Sequence, residues 1–312
     1  MHRLFVSRFF VKGLAYLCIA ISVLSTFTAF SSAQGLLRER LKERLGQRSH
    51  NQYNTTEKVT IAGLHVAVWR PAHANGPVPL VIFSHGLCGI NTQTLFLMRA
   101  LSQAGYLVMA PNHRDAMGSG NMLSKPEENI KGMANWTESS YKDSGDDIKK
   151  LLSALHKDPQ WNSQIDWSKL VLAGHSLGGY TMLACAGAWP SWKIPYDIKA
   201  ILAMSPVTLP FLSKGTLSKV SVPIMYQGGN LDLLVTPFVK RANGAFDKTP
   251  SPACFVEFAR ASHFFWTDFN KDEAKQELID HYSLAFLNKY VKGDKNSQLD
   301  EKLPGVTELR LK

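Results

Sequence analysis

The chain has 312 residues, of which 45% are hydrophobic and 19% charged, and it carries a formal net charge of +10. This is the balance of a folded globular protein, not of a disordered chain or a multi-span membrane protein. Three positive charges fall in the first twelve residues and a net three in residues 34–50, leaving +4 for the rest with no basic run interleaved with aromatics. Nucleic acid is therefore excluded as a partner.

Arg3, Arg8 and Lys12 precede an uncharged run over residues 14–30, and Ser31-Ser32-Ala33 supplies small residues for cleavage. The pattern is that of a signal peptide over residues 1–33, cut after Ala33, and implies a secreted or periplasmic protein. The alternative is an uncleaved anchor, since the run approaches a membrane-spanning length. Residues 34–50 are charged, with Leu37, Leu41 and Leu45 in helical spacing, and read as an amphipathic lead-in. Residues 51–312 suit one α/β domain with a large core. After the leader only Cys88, Cys185 and Cys254 remain, too few for a disulfide framework, although a single bridge stays open.

Strand and helix patterns then alternate. "KVTIAGLHVAVWRP" reads as two strands joined at Gly63, and "VPLVIFSHG" as a buried strand. Residues 92–104 have helical periodicity, "YLVMAP" is a strand, and a long polar stretch runs from 112 to 142. A helix is expected from Asp143 to His156, a strand at "KLVLAG" and a helix through "TMLACAGA". Strands follow at "KAILAMSP" and "VPIMYQGG", a helix over 236–246, a last strand at "ACFVEFA" and a closing helix over 271–291. The alternation predicts a mostly parallel sheet with helices on both faces.

Between the central strand and its helix stands Gly174-His175-Ser176-Leu177-Gly178. G-x-S-x-G in that setting is a nucleophile elbow, a tight turn that lifts Ser176 Oγ clear of the sheet. A serine hydroxyl needs a base to take its proton, and the base needs an orienting carboxylate. In the order Ser, acid, His, only His263 and His281 follow Ser176. His263 lies in a loop after a strand, whereas His281 sits inside the closing helix, so His263 is the base. Of the acids between, Asp197 precedes a strand, Asp247 precedes the last strand and Glu257 lies within it. Asp232 follows "VPIMYQGG" at the carboxyl edge, where catalytic groups of parallel sheets gather, and is the acid. The expected oxyanion donors are the N–H groups of Leu177 and, within "HGLCG", Leu87. His85 is expected to pin that loop.

On "FSHGLCG", "GYLVMAPNHRDA", "GHSLGG" and "ASHF" the chain resembles the α/β-hydrolase superfamily, specifically its dienelactone-hydrolase-like and platelet-activating-factor-acetylhydrolase-like branches. "IDWSKLVLAGHSLGG", "GGNLDLLVTP" and "ASHF" are also similar to cutinase-like polyester hydrolases. The resemblance implies the α/β-hydrolase fold, an oxyanion donor at Leu87 and, from the cutinase-like pattern, an acid at Asp232. Two departures stand out. Ser205 occupies the position of the acetylhydrolase-type acid, and Ser176 replaces the dienelactone-hydrolase cysteine.

The expected activity is carboxylic-ester hydrolysis through an acyl-enzyme, with no cofactor or metal. The substrate is a small ester, a lipid or a polyester. Met117, Trp136 and Phe264 are the candidate substrate contacts. A peptidase or amidase, or a non-catalytic binding protein on the same scaffold, are the rival readings, and oligomeric state is left open.

Overall fold

The apolar runs of the sequence stack side by side because strands buried on both faces have no polar side to turn outward. In a computed structural model, residues 56–119 and 130–312 are described. The leader, the lead-in and part of the 112–142 stretch lie outside the described residues. One nine-stranded sheet is formed by β1 (Glu57–Ile61), β2 (Leu64–Trp69), β3 (Val78–Ser84), β4 (Leu107–Pro111), β5 (Ile165–His175), β6 (Ile198–Met204), β7 (Ile224–Gly229), β8 (Ala253–Phe258) and β9 (Val306–Leu311). Their order is β1-β2-β4-β3-β5-β6-β7-β8-β9. Strands β3 to β8 are parallel, with antiparallel strands at both edges. Helices α1 (Leu95–Gln103) and α4 (Glu273–Tyr290) pack on each other, as do α2 (Lys142–Lys157) and α3 (Leu177–Leu183).

Among the differences from the sequence reading, two stand out. Strand β9 follows a polar segment and its VTELRL pattern mixes charge with apolar residues, so it carries no buried-strand signal. It forms because β8 presents an open edge, and Arg310 lies over the rings of Phe246 and Phe255 at 4.7 and 4.9 Å. The single helix expected over 236–246 is instead two short turns, Thr236–Lys240 and Ala245–Lys248. Asn243 between them is left-handed, with φ 59°, which breaks the helical run.

Register brings Ser84, at the end of β3, beside Gly174 on β5, and His175 beside Met204 on β6. The strand ends therefore meet at one edge. At this edge Ser176 has φ 55° and ψ −116°, a conformation costly for a residue with a side chain. It is held by Ser176 N–H to Met204 O (3.0 Å) and Val207 N–H to Ser176 O (3.2 Å). A Cβ at position 178 would overlap the carbonyl of Ser84, so glycine there lets α3 start against β3.

Two buried histidines tie the loops of this edge together. His85 donates from Nδ1 to Gly86 O (2.8 Å), and its Nε2 accepts the His113 N–H (3.0 Å), which pins the loop as expected. His175 donates from Nε2 to His263 O (2.8 Å) and accepts from Gln93 Nε2 at its Nδ1 (3.2 Å). Each bonding pattern needs a neutral ring. Burial above all, then the charge of His113 beside His85 and of His263 beside His175, lowers both pKa values to about 3. In the unfolded chain each titrates near about 6.5. The folded values lie below the unfolded ones, so this contribution to stability is complete above that pH and is lost as pH falls toward 3. Each histidine accounts for about 1.4 kcal/mol per pH unit within the window. Thermal midpoints are expected to fall steeply from about pH 6 downward; a midpoint that stayed level to about pH 4.5 would contradict neutral burial of the pair.

Candidate active site

Three loops at the carboxyl edge bring Ser176, Asp232 and His263 together. Ser176 Oγ lies 2.8 Å from His263 Nε2, and His263 Nδ1 lies 3.1 Å from Asp232 Oδ2. In the matching tautomer the Ser176 hydroxyl donates to Nε2 and the Nδ1–H donates to the carboxylate. The Asp232 and His263 loops are laced by Asn230 N–H to Phe258 O (3.1 Å) and Leu231 N–H to Ala261 O (3.0 Å). A Cβ on Gly229 would overlap the Ala261 carbonyl, so the close approach of the two loops requires glycine there.

Asp232 is buried. Burial alone would raise its pKa. The His263 N–H and charge, the Ser205 hydroxyl and the Leu234 amide outweigh that and hold the carboxyl below the ordinary range. It is therefore ionised at neutral pH. None of the other acids weighed from the sequence reaches His263. Asp197 is exposed before β6, Asp247 accepts from Asn243 N–H (2.8 Å), and Glu257 pairs with Lys240 (2.6 Å). His281 is buried in α4.

Leu87 and Leu177 both line a cleft of about 270 Å³ at Ser176, together with Trp136, Tyr141, Val207 and Leu234. The amides flanking Leu87 are engaged, Gly86 N–H with Gln93 Oε1 (3.1 Å) and Cys88 N–H with Asp115 Oδ2 (2.9 Å). The Leu87 and Leu177 N–H groups donate to no group among the described residues. Trp136 is buried in the cleft wall, its ring 4.9 Å from Tyr141 and 5.4 Å from Tyr180. Met117 and Phe264 do not line the cleft. Both are 59% exposed, Phe264 beside His263 and Met117 near the Leu87 loop. No disulfide joins Cys88, Cys185 and Cys254, and burial pushes the Cys185 and Cys254 thiols up to about 12.

Two side chains make contacts at the site that the sequence reading did not assign. The Ser205 hydroxyl donates to Asp232 Oδ2 and lies 3.3 Å from His263 Nδ1, so the residue at the acetylhydrolase-type acid position faces the same pair. Gln93, at the start of the helical run, bridges Gly86 N–H and the His175 ring. Their roles depend on which loops meet in space, and no local pattern encodes that.

The family model described as Chlorophyllase matches residues 44–226, a span that includes Leu87 and Ser176 and stops before Asp232 and His263. Cutinase 1 of Thermobifida cellulosilytica is 31% identical over 134 residues, 42% of this chain and 45% of that protein. Cutinase est1 of Thermobifida alba is 22% identical over 222 residues, 70% of this chain and 63% of its own. Platelet-activating factor acetylhydrolase of Cavia porcellus is 23% identical over 292 residues, 75% of this chain and 63% of its own. The chain thus spans under half of the first of these proteins and under two thirds of the other two. The model match covers more than half of the chain, and the sheet order and strand-turn-helix setting of Ser176 agree with it: this chain belongs to the chlorophyllase family and has the α/β-hydrolase fold.

Proposed function

We propose that this protein is an exported serine hydrolase that cleaves carboxylic esters through an acyl-enzyme. The observation that carries the reading is the unbroken line of hydrogen bonds from Ser176 through His263 to the buried Asp232, at 2.8 and 3.1 Å. Ser176 Oγ attacks the carbonyl carbon as its proton passes to His263 Nε2. Asp232 keeps the proton on Nδ1 and stabilises the imidazolium. The Leu87 and Leu177 N–H groups receive the oxyanion, with the amino-terminal end of α3 adding its dipole. His263 then protonates the leaving alcohol, and water repeats the cycle on the acyl-enzyme. Relatives named cutinase and acetylhydrolase suit this reading. Export rests on the leader pattern of residues 1–33.

The same reading separates the two halves of the ester. The leaving alcohol must lie beside His263, which does not line the cleft. The cleft at Ser176, walled by Leu87, Trp136 and Leu177, then takes the acyl group. Its walls are mostly apolar, from Leu87, Trp136, Tyr141, Leu177, Val207 and Leu234, which suits a hydrocarbon acyl group.

A second reading, a polyester or aggregated-lipid substrate, is favoured by one observation. Six of the seven large apolar side chains exposed among the described residues are Met117, Leu231, Leu233, Leu234, Phe264 and Phe269. All lie on or near the loops that carry Leu87, Asp232 and His263. Clearing of an emulsified polyester, set against turnover of a dissolved ester, separates the readings.

Ser176→Ala is expected to lower kcat by about 10⁶ and Asp232→Asn by about 10⁴, with KM little changed. Ser205→Ala should cost less than about tenfold, because the carboxylate and the Nδ1–H remain. Steady-state kinetics on p-nitrophenyl esters checks all three. If Asp232→Asn stayed active while Asp197→Asn did not, the acid would be misassigned. On the same esters, Trp136→Ala is expected to move the preferred acyl chain to greater length. An unchanged chain-length profile would remove Trp136 from the acyl site.

A further inference from the structure

Segment 112–117 (NHRDAM) follows β4 and lies against the turn that carries Leu87. Five hydrogen bonds join the two stretches. His113 Nε2 accepts from Ser84 Oγ (2.9 Å), and the His113 N–H donates to His85 Nε2 (3.0 Å). Cys88 N–H donates to Asp115 Oδ2 (2.9 Å), Asn91 N–H to Asn112 Oδ1 (2.7 Å), and Met117 N–H to Gly89 O (2.9 Å). Asp147 on α2 completes the set by accepting from His113 Nδ1 (3.0 Å). Ser84, His113 and Asp147 repeat the residue types of the first site, yet Ser84 is fully buried and meets no substrate. Their arrangement is a clamp.

The clamp closes on a strained point. Gly89 N–H donates to Gly86 O (2.8 Å), closing a turn with Leu87 and Cys88 at its centre. Cys88 has φ 57°, a conformation that turns ordinarily reserve for glycine or asparagine. Without a partner for its N–H, Cys88 would relax out of the left-handed region and carry the neighbouring peptide with it. The partner provided is a carboxylate. Burial raises the Asp115 pKa, and the Cys88 amide is the first of the groups that oppose the rise.

We infer that Asp115 is a positioning residue for the oxyanion donor: by accepting the Cys88 N–H it holds the 86–89 turn in the arrangement that leaves the Leu87 N–H free beside Ser176. The inference rests on the ester-hydrolase reading. An oxyanion donor acts only when charge develops in the transition state, so misplacing one lowers kcat and spares substrate binding.

The test compares Asp115→Ala, Asp115→Asn and Asp115→Ala/Cys88→Gly in the full chain, with p-nitrophenyl butyrate and with Ser176→Ala as reference. Asp115→Ala is expected to lose about 10²-fold in kcat with KM within about threefold. Asp115→Asn keeps an oxygen acceptor and should recover to within about tenfold of the parent. Cys88→Gly removes the strain that Asp115 restrains, so the double variant should regain much of the loss. Should Asp115→Ala fail to fold, the double variant, expected to fold with kcat within about tenfold of the parent, serves in its place. The inference is overturned if Asp115→Ala keeps full kcat, if its loss lies in KM, or if neither Asn nor the double variant restores turnover. An active Ser176→Ala would instead overturn the ester-hydrolase reading itself.

Discussion

A neutral imidazole buried directly behind Ser176 is the constraint on which the rest of the site depends. His175 precedes Ser176, and its two ring nitrogens bond different loops, Gln93 on one side and the His263 carbonyl on the other. A charged ring could not accept from Gln93, and an apolar one would leave the His263 carbonyl without that donor. Burial keeps the ring neutral by making its protonated form expensive. One side chain thus sets the spacing between the elbow, the loop that carries Leu87 and the loop that carries His263.

Around that ring the molecule concentrates its local strain. Ser176, Cys88 and Ser205 are all non-glycine residues with positive φ, and all three lie at the carboxyl edge of the sheet. Each is restrained by a bond from a neighbouring segment: Ser176 by Met204 and Ser205 by Gln227, both fully buried strand residues, and Cys88 by the half-buried loop residue Asp115. Strained residues of this kind persist where the surroundings over-determine them. The sheet does so here because β3 to β7 are almost wholly buried and keep their register across the whole edge. The elbow can stay sharp because the strands beneath it do not slip.

Much of this was legible in the residues. The alternation of short apolar runs with helical periods foretold the parallel sheet, since burial on both faces leaves a composition that local sequence records. Ser176 stood out because a sharp strand-to-helix turn needs small neighbours two positions away on each side. The approach of Asp232 and His263 to Ser176 followed from chain order and from which strand ends share an edge. Strand β9 was not legible, because its outward residues are charged and its partner edge is made elsewhere in the chain. The break at Asn243 was hidden inside a run with helical spacing. Gln93 and Asp115 were silent for a further reason, since each matters through hydrogen bonds to a distant loop, and Ser205 was marked by its position alone, without the contacts it makes. Trp136 lines the cleft at Ser176, whereas Met117 and Phe264 are exposed beside the site.

The central claim is that Ser176 is a nucleophile activated by His263. Its most direct measurement is covalent labelling with a fluorophosphonate, followed by mass spectrometry of the digested protein. A serine made reactive by the 2.8 Å bond to His263 should give one adduct, on the peptide that contains Ser176, and none when His263 is replaced by alanine. No adduct on the folded protein, or an adduct on another serine, would contradict the account.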